Sequence, residues 1–407
     1  MDKDTHSELR GARLVMIMVL SWTIYATLYL CRVNFSIVIP LMRVEMGISY
    51  ERIGIIASGF FVLYAIGQVL NGYLTMSHNP CNMIVLGVMG SALVTMSLGL
   101  CSDFTSMLLL WSMNGYLQSV QWPSLIRVLS EITRTRLGTV LGIFNTSWAI
   151  GHVATWILTG FIVSNYGWRY GFIVNGLLLA LTGGIAGLVL RSVVGRKDVE
   201  VMTKEEVNLI ALGSLSLSYL LADATRYGMI VYLPSYVFSK EGSIEVASTV
   251  STIIPLAGSL GMIAIGGLSD VFPKKRALFT SLITIATMTF VYLFPQAYEM
   301  DRIIGILTLA LASFFLYGAN SQIVSTIPVE MVNVRLSPMV SGVVNAMGGL
   351  GAFISSLISG AIIEWYGFET AFGLWSLFQL LQALLLIFVH KLLKKSCLLY
   401  TSPSPRD

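Results

Sequence analysis

Charge is what this chain has least of. Of its 407 residues only 11% are charged while 55% are apolar, whereas a soluble domain carries about 25% charged residues. Mean hydropathy is +0.78, which excludes a soluble enzyme. Cysteine is scarce too. The four present (Cys31, Cys81, Cys101 and Cys397) show neither a disulfide framework nor metal-ligand spacing, and the first three read as small packing residues. No stretch is low in complexity. No glycine-rich phosphate loop lies outside the apolar runs, so ATP drive is not expected. No Ser/His/Asp constellation appears either: no catalytic residue, metal or cofactor is expected, and the chain does not read as an enzyme. The polar start, MDKDTHSELRGAR, leads into an apolar run too long for a signal-peptide core, so no cleaved signal is expected.

What the chain does have is length of apolar sequence. Twelve stretches, at about 14–40, 53–76, 82–101, 105–129, 137–164, 170–190, 209–238, 246–269, 277–294, 303–328, 338–363 and 370–390, each approach the roughly 20 residues a spanning helix needs. The 37 glycines fit closely packed membrane helices. One sizeable polar connector, RSVVGRKDVEVMTKEEVN, divides the stretches six and six. The fold class expected is all-α and integral to the membrane. It comprises a six-helix bundle over 1–190, a connector over 191–208 and a second bundle over 209–396. The last eleven residues, CLLYTSPSPRD (397–407), match the in-frame translation of a common sequencing-library adapter, and the natural chain is expected to end at or just after Ser396.

Charge placement gives the orientation. With the N-terminus inside, the cytoplasmic segments hold sixteen Lys and Arg; the outer loops hold five: Arg43, Arg52, Arg169, Lys240 and Arg302. That bias places both termini in the cytoplasm of a cell (inner) membrane protein. The net charge of +4 reflects this topology and gives no reason to expect nucleic acid.

Two arginines break the apolar pattern. Arg32 lies in SWTIYATLYLCRVNFSIVIP and Arg226 in SLSYLLADATRYGMIVYLP, 194 positions apart, and the same offset maps Tyr25 onto Tyr219, Pro40 onto Pro234 and Gly72 onto Gly266. A second offset of 200 maps Gly142 onto Gly342, Asn145 onto Asn345, Gly151 onto Gly351, and Tyr166-Gly167 onto Tyr366-Gly367. An arginine at mid-membrane depth costs roughly 3 kcal/mol even on the lenient insertion scale, so a duplicated pair points to a substrate site. Secondary transporters place such sites at repeat interfaces near mid-depth, and the two arginines are expected to face one cavity there. A structural helix–helix ion pair is the competing reading for each. Guanidinium stays charged at any relevant pH and forks onto phosphate or carboxylate oxygens.

Six plus six helices with related halves describe the major facilitator fold. Local motifs narrow the resemblance. YLCRVNFSIVIP (29–40), GYLQSVQWPSLIR (115–127), GIFNTSWAIG (142–151) and RYGMIVYLPSYV (226–237) resemble the organophosphate:phosphate antiporters, the group of glycerol-phosphate and hexose-phosphate transporters, along about residues 14–390. The resemblance implies that Arg32 and Arg226 clamp the phosphate, that Tyr25 and Tyr29 line the cavity, and that Asn145 belongs to the binding set. It also exposes departures. Trp148 stands where the glycerol-phosphate transporter has a histidine, Gln68 where it has a lysine, and Asp223 where a mirror of Tyr29 would be.

Asp223 precedes Arg226 by three residues, within side-chain reach on one face. It reads either as a fixed counter-ion or as a group that releases Arg226 on protonation or substrate arrival. His152, inside the fifth stretch, reads first as a packed histidine and second as a contact to cargo or proton. Arg127 can snorkel at the inner end of its helix, so gating or structural use outweighs binding. Gly266, Asp270, Lys274, Lys275 and Arg276 resemble the superfamily's cytoplasmic gate motif. The equivalent first-half stretch, Gly72 to His78, lacks its acid and base, so an asymmetric gate is expected. The glycines Gly348, Gly349 and Gly351 allow close approach or bending.

Three functions compete. The first is exchange of an organophosphate for phosphate by alternating access. The second is proton-coupled symport of a small organic monoanion such as a carboxylate. The third is a membrane sensor on the same fold. Expected partners are a small anionic substrate and the lipid bilayer, with the chain acting as a monomer.

Overall fold

The computed structural model describes residues 2–132, 137–194, 208–269, 271–272, 275–331 and 337–400. Among them seventeen α-helical segments fall within the twelve expected stretches, five of which are broken in two. Ten helices are long and apolar enough to cross a membrane among the described residues. The stretches around 105–129 and 209–238 fall short of that test. They hold Asn114, Gln118, Gln121 and Arg127 in one case and Asp223 and Arg226 in the other. Polar residues needed elsewhere dilute their hydropathy.

The chain forms two compact units. The first takes in Met1–Val201 together with Ile230–Pro255. Its elements are α1 (Asp2–Leu28), α2 (Asn34–Met46), α3 (Tyr50–Ser77), α4 (Pro80–Leu98), α5 (Phe104–Ser119), α6 (Gln121–Ile132), α7 (Leu137–Tyr166), α8 (Trp168–Leu178) and α9 (Gly184–Val193). The last part of α10 (Leu209–Glu241) and α11 (Ile244–Ser251) pack with them, and Ser164 of α7 donates to Glu245 Oε1 at 2.7 Å.

α1 and α2 form one spanning rod with a break. A 3-10 turn, Tyr29–Cys31, separates them, and Arg32 closes it. Breaking a helix frees backbone carbonyls, which inside a membrane must find other donors. Here Asn114 Nδ2 and Gln118 Nε2 both donate to the Cys31 carbonyl, at 2.7 and 2.8 Å, and Trp156 Nε1 donates to that of Val33 at 3.1 Å. The break is therefore stabilised by α5 and α7, and it sits at the arginine.

The second unit takes in Met202–Met229 and Leu256–Asp407. It contains the first part of α10, most of α12 (Ile253–Ser269), α13 (Arg276–Met300), α14 (Arg302–Ser321), α15 (Ile327–Met331), α16 (Ser337–Tyr366) and α17 (Phe368–Tyr400). Its strongest seams join α13 to α14 and to α17. The repeat extends to backbone geometry. Gly167 and Gly367, the 200-residue mates, both sit at positive φ, 90° and 84°, between consecutive helices. Only glycine adopts that conformation without strain.

Candidate anion-binding residues

In the first unit the Arg32 guanidinium is held on three sides. Its Nε donates to Gln118 Oε1 at 2.8 Å, and its Cζ lies 5.1 Å from the Tyr29 ring centre and 4.7 Å from that of Tyr64. Aromatic faces attract a cation without neutralising it. Gln118 in turn spends its amide on the Cys31 carbonyl and Ser91 Oγ, so its oxygen is aimed at Arg32 by bonds on the opposite end. Gln68 donates to the Tyr64 hydroxyl at 2.9 Å, which places the expected binding glutamine one contact behind Arg32. Tyr25 stands edge-on to Tyr29, with ring centres 5.6 Å apart. Trp148 lies half-buried on α7, 5.5 Å from the His152 ring, and His152 itself packs 4.4 Å from Tyr29. The side chain of Asn145 lies outside the described residues.

The second unit treats its arginine differently. Arg226 Nη2 donates to Asp223 Oδ2 at 2.7 Å, and Asn320 Nδ2 donates to the other carboxylate oxygen at 3.4 Å. Tyr227 and Tyr317 flank the guanidinium, with ring centres 4.8 and 5.8 Å from its Cζ. The Arg226 side chain is 19% exposed and that of Asp223 only 3%. A buried carboxylate needs its partners, and here it has two. The backbone of Gly348 on α16 lies directly against Asp223 and Tyr219: a Cβ there would stand 2.5 Å from the Tyr219 ring. The glycine run of α16 thus serves close approach at this point.

Arg127 lies on α6. It donates to the Thr75 carbonyl and, at 3.3 Å, to that of His78, at the C-terminal end of α3. A cation there satisfies carbonyls that a helix end leaves open and complements its partial negative charge. Among the gate residues, Gly266 lies in the last turn of α12, Lys275 stands at the N-cap of α13 and Arg276 begins it. Asp270 and Lys274 lie outside the described residues.

Sequence reasoning did not assign Tyr64, Asn320, Tyr317 or Gly348 to the two clusters. Gln118 was visible within the stretch GYLQSVQWPSLIR, without its role. Asn320 carried one available signal: an amide inside an otherwise apolar stretch.

The family profile described as Major Facilitator Superfamily matches residues 21–214 and again 215–397. A probable hexose phosphate transport protein of Chlamydia pneumoniae is 30% identical over 155 residues, which is 38% of this chain and 34% of that one. The match thus spans about a third of that relative's length. The membrane sensor protein UhpC of Salmonella typhimurium is 23% identical over 387 residues, 86% of each chain. Among solved structures, a bacterial homolog of the human lysosomal transporter Spinster superposes with a TM-score of 0.71 at 15% identity, covering 98% of this chain and 99% of that one. That likeness shows the fold.

Proposed function

The chain belongs to the major facilitator superfamily, and from that premise we propose that it moves a small organic phosphate across the membrane in exchange for phosphate, by alternating access. Membership makes it an integral membrane transporter and not an enzyme. The observation that carries the phosphate reading is the treatment of Arg32. Its guanidinium is fixed by the neutral Gln118 amide and two tyrosine faces inside an apolar helix pair. A fork held in this way is preorganised for two oxygens of one anion. Arg226 is the second cargo-binding cation, with Asp223 as its counter-ion while cargo is absent. Both termini are cytoplasmic on this reading, and Gly266 to Arg276 supplies most of the inner gate.

Counterflow tests it. Proteoliposomes loaded with phosphate should take up labelled organophosphate without any pH gradient. Strict dependence on a proton gradient would support the symporter reading, which the buried Asp223–Arg226 pair also motivates. The sensor reading rests on the Salmonella relative, a membrane sensor protein matched along 86% of its length. Saturable binding of organophosphate with no counterflow at all would favour it.

A further inference from the structure

The residue just before each arginine makes the same bond. Cys31 Sγ donates to the Asn175 carbonyl at 3.6 Å, and Thr225 Oγ1 donates to the Trp375 carbonyl at 3.0 Å. Cys31 and Thr225 are mates at the 194-residue offset, Asn175 and Trp375 at the 200-residue one. A second bond is repeated beside it. Asn175 Nδ2 donates to Thr159 Oγ1 at 2.7 Å, and Trp375 Nε1 to Ser359 Oγ at 2.8 Å. An exchange of sizes lets both repeats build this arrangement. In the first, the Asn34 and Asn175 amides both donate to the Gly171 carbonyl. Their mates are Gly228 and Trp375, and a Cβ on Gly228 would stand 2.5 Å from the indole Cε2. The indole occupies room that the glycine leaves.

The second repeat adds a part that the first lacks. Gln379 Nε2 donates to Thr225 Oγ1 at 2.8 Å. Its mate in the first repeat is Leu179, equally buried, so the fold does not require an amide there. The amide is also costly. Gln379 Oε1 is buried with no hydrogen-bond partner among the described residues, which lowers stability. What the amide does is orient a hydroxyl. A helical threonine can bond back to the carbonyl four residues earlier, and the Leu221 carbonyl lies 3.3 Å from Thr225 Oγ1. The bond from Gln379 draws that oxygen toward α17, and its one proton goes to the nearer Trp375 carbonyl.

Thr225 and Gly228 are three residues apart and share a face of α10, which α17 grips. Arg226 projects about 100° round the helix from Thr225, where Tyr317 of α14 flanks it. A guanidinium that takes two oxygens at once must be held within about 0.5 Å and 10–20°. Rotation of α10 about its own axis would misaim it. We infer that Thr225 and Gln379 are positioning residues for Arg226: with Trp375 they fix the rotation of α10 and so aim the guanidinium at the cargo anion. The inference rests on the phosphate reading proposed above.

The test is equilibrium binding of labelled inorganic phosphate to the purified full chain, read beside the melting temperature of each variant. Thr225→Val keeps the shape and loses the hydroxyl. It should bind about ten-fold more weakly, the worth of one or two buried hydrogen bonds, while Thr225→Ser should stay near wild type. Gln379→Leu copies the first repeat. It should bind about three-fold more weakly yet melt no lower than wild type, because it removes an unpartnered oxygen. A purely structural contact would not lower affinity while sparing stability. In an Arg226→Lys background Thr225→Val should cost no further affinity, since the fork it aims is already gone. A further loss there would overturn the inference. So would wild-type affinity in Thr225→Val or in Gln379→Leu, or a Thr225→Ser variant as weak as Thr225→Val, and all three leave the phosphate reading standing. A wild-type chain that binds no phosphate would sink that reading and the inference with it. Should Thr225→Val fail to fold, Gln379→Leu still decides.

Discussion

Arg226 donates to Asp223 Oδ2 at 2.7 Å, one turn away along the same helix. The position 194 residues earlier holds Tyr29, which offers Arg32 a ring face at 5.1 Å. One repeat thus gives its arginine a neutral neighbour and the other a carboxylate. The second arginine's charge is met by an acid on its own helix.

Asp223→Asn removes that internal competitor. On the counter-ion account the variant binds phosphate-like dianions about ten-fold more tightly, equivalent to ~1.4 kcal/mol, and still exchanges them. Uphill uptake with and without a proton gradient at fixed membrane potential checks it. A variant that keeps exchange but loses gradient-driven accumulation would make Asp223 the proton carrier instead.

Gln118→Ala removes the amide that holds Arg32 Nε and helps cover the Cys31 carbonyl. Leaving buried polar groups without partners costs on the order of 1–3 kcal/mol. Detergent melting should show a lower Tm than wild type, and organophosphate affinity should fall because Arg32 loses its anchor. An unchanged Tm with unchanged affinity would contradict the supporting role of Gln118.

Gly348→Ala places a methyl against Tyr219 and the Asp223 carboxylate. Overpacking of this kind costs roughly 1–3 kcal/mol and forces the pair to shift. The variant should melt lower and show altered affinity for anions. Wild-type melting and affinity together would mean that α16 is not seated on Asp223.

Arg127→Ala takes a cation from the C-terminal end of α3, where it bonds two carbonyls. Losing such a cap should cost about 1 kcal/mol or slightly more, seen as a lower Tm. Arg127→Lys should recover part of the loss, since one ammonium can meet only part of the guanidinium's geometry. A destabilised Lys variant equal to Ala would point away from carbonyl capping.

Much of the fold was legible because a membrane leaves few options. Each spanning segment must be a long apolar helix, and Arg32 and Arg226 stood out as charges where charge is expensive. The Asp223–Arg226 pair was legible for the same reason that any i, i+3 pair is: both ends lie on one helix. The break at Tyr29–Cys31 was not. No glycine or proline marks it, since Pro40 lies well along α2, and the donors that stabilise it come from Asn114, Gln118 and Trp156 on other helices. Tyr64 against Arg32, and Asn320 against Asp223, are likewise contacts between helices distant in sequence. Periodicity reports which face of a helix is apolar and is silent about which neighbour meets it. Arg127 illustrates the limit: its position near a helix end was plain, and its bond to the end of α3 depends on packing.

On the proposed function, Arg32 and Arg226 each grip the cargo anion through a two-pronged guanidinium. Equilibrium binding of a labelled organophosphate to the purified full chain, beside Arg32→Lys and Arg226→Lys, tests it most directly. Lysine keeps the charge and loses the fork, so each variant should insert and fold yet bind at least about 100-fold more weakly, ~2.7 kcal/mol or more. Wild-type affinity in either folded variant would contradict the account.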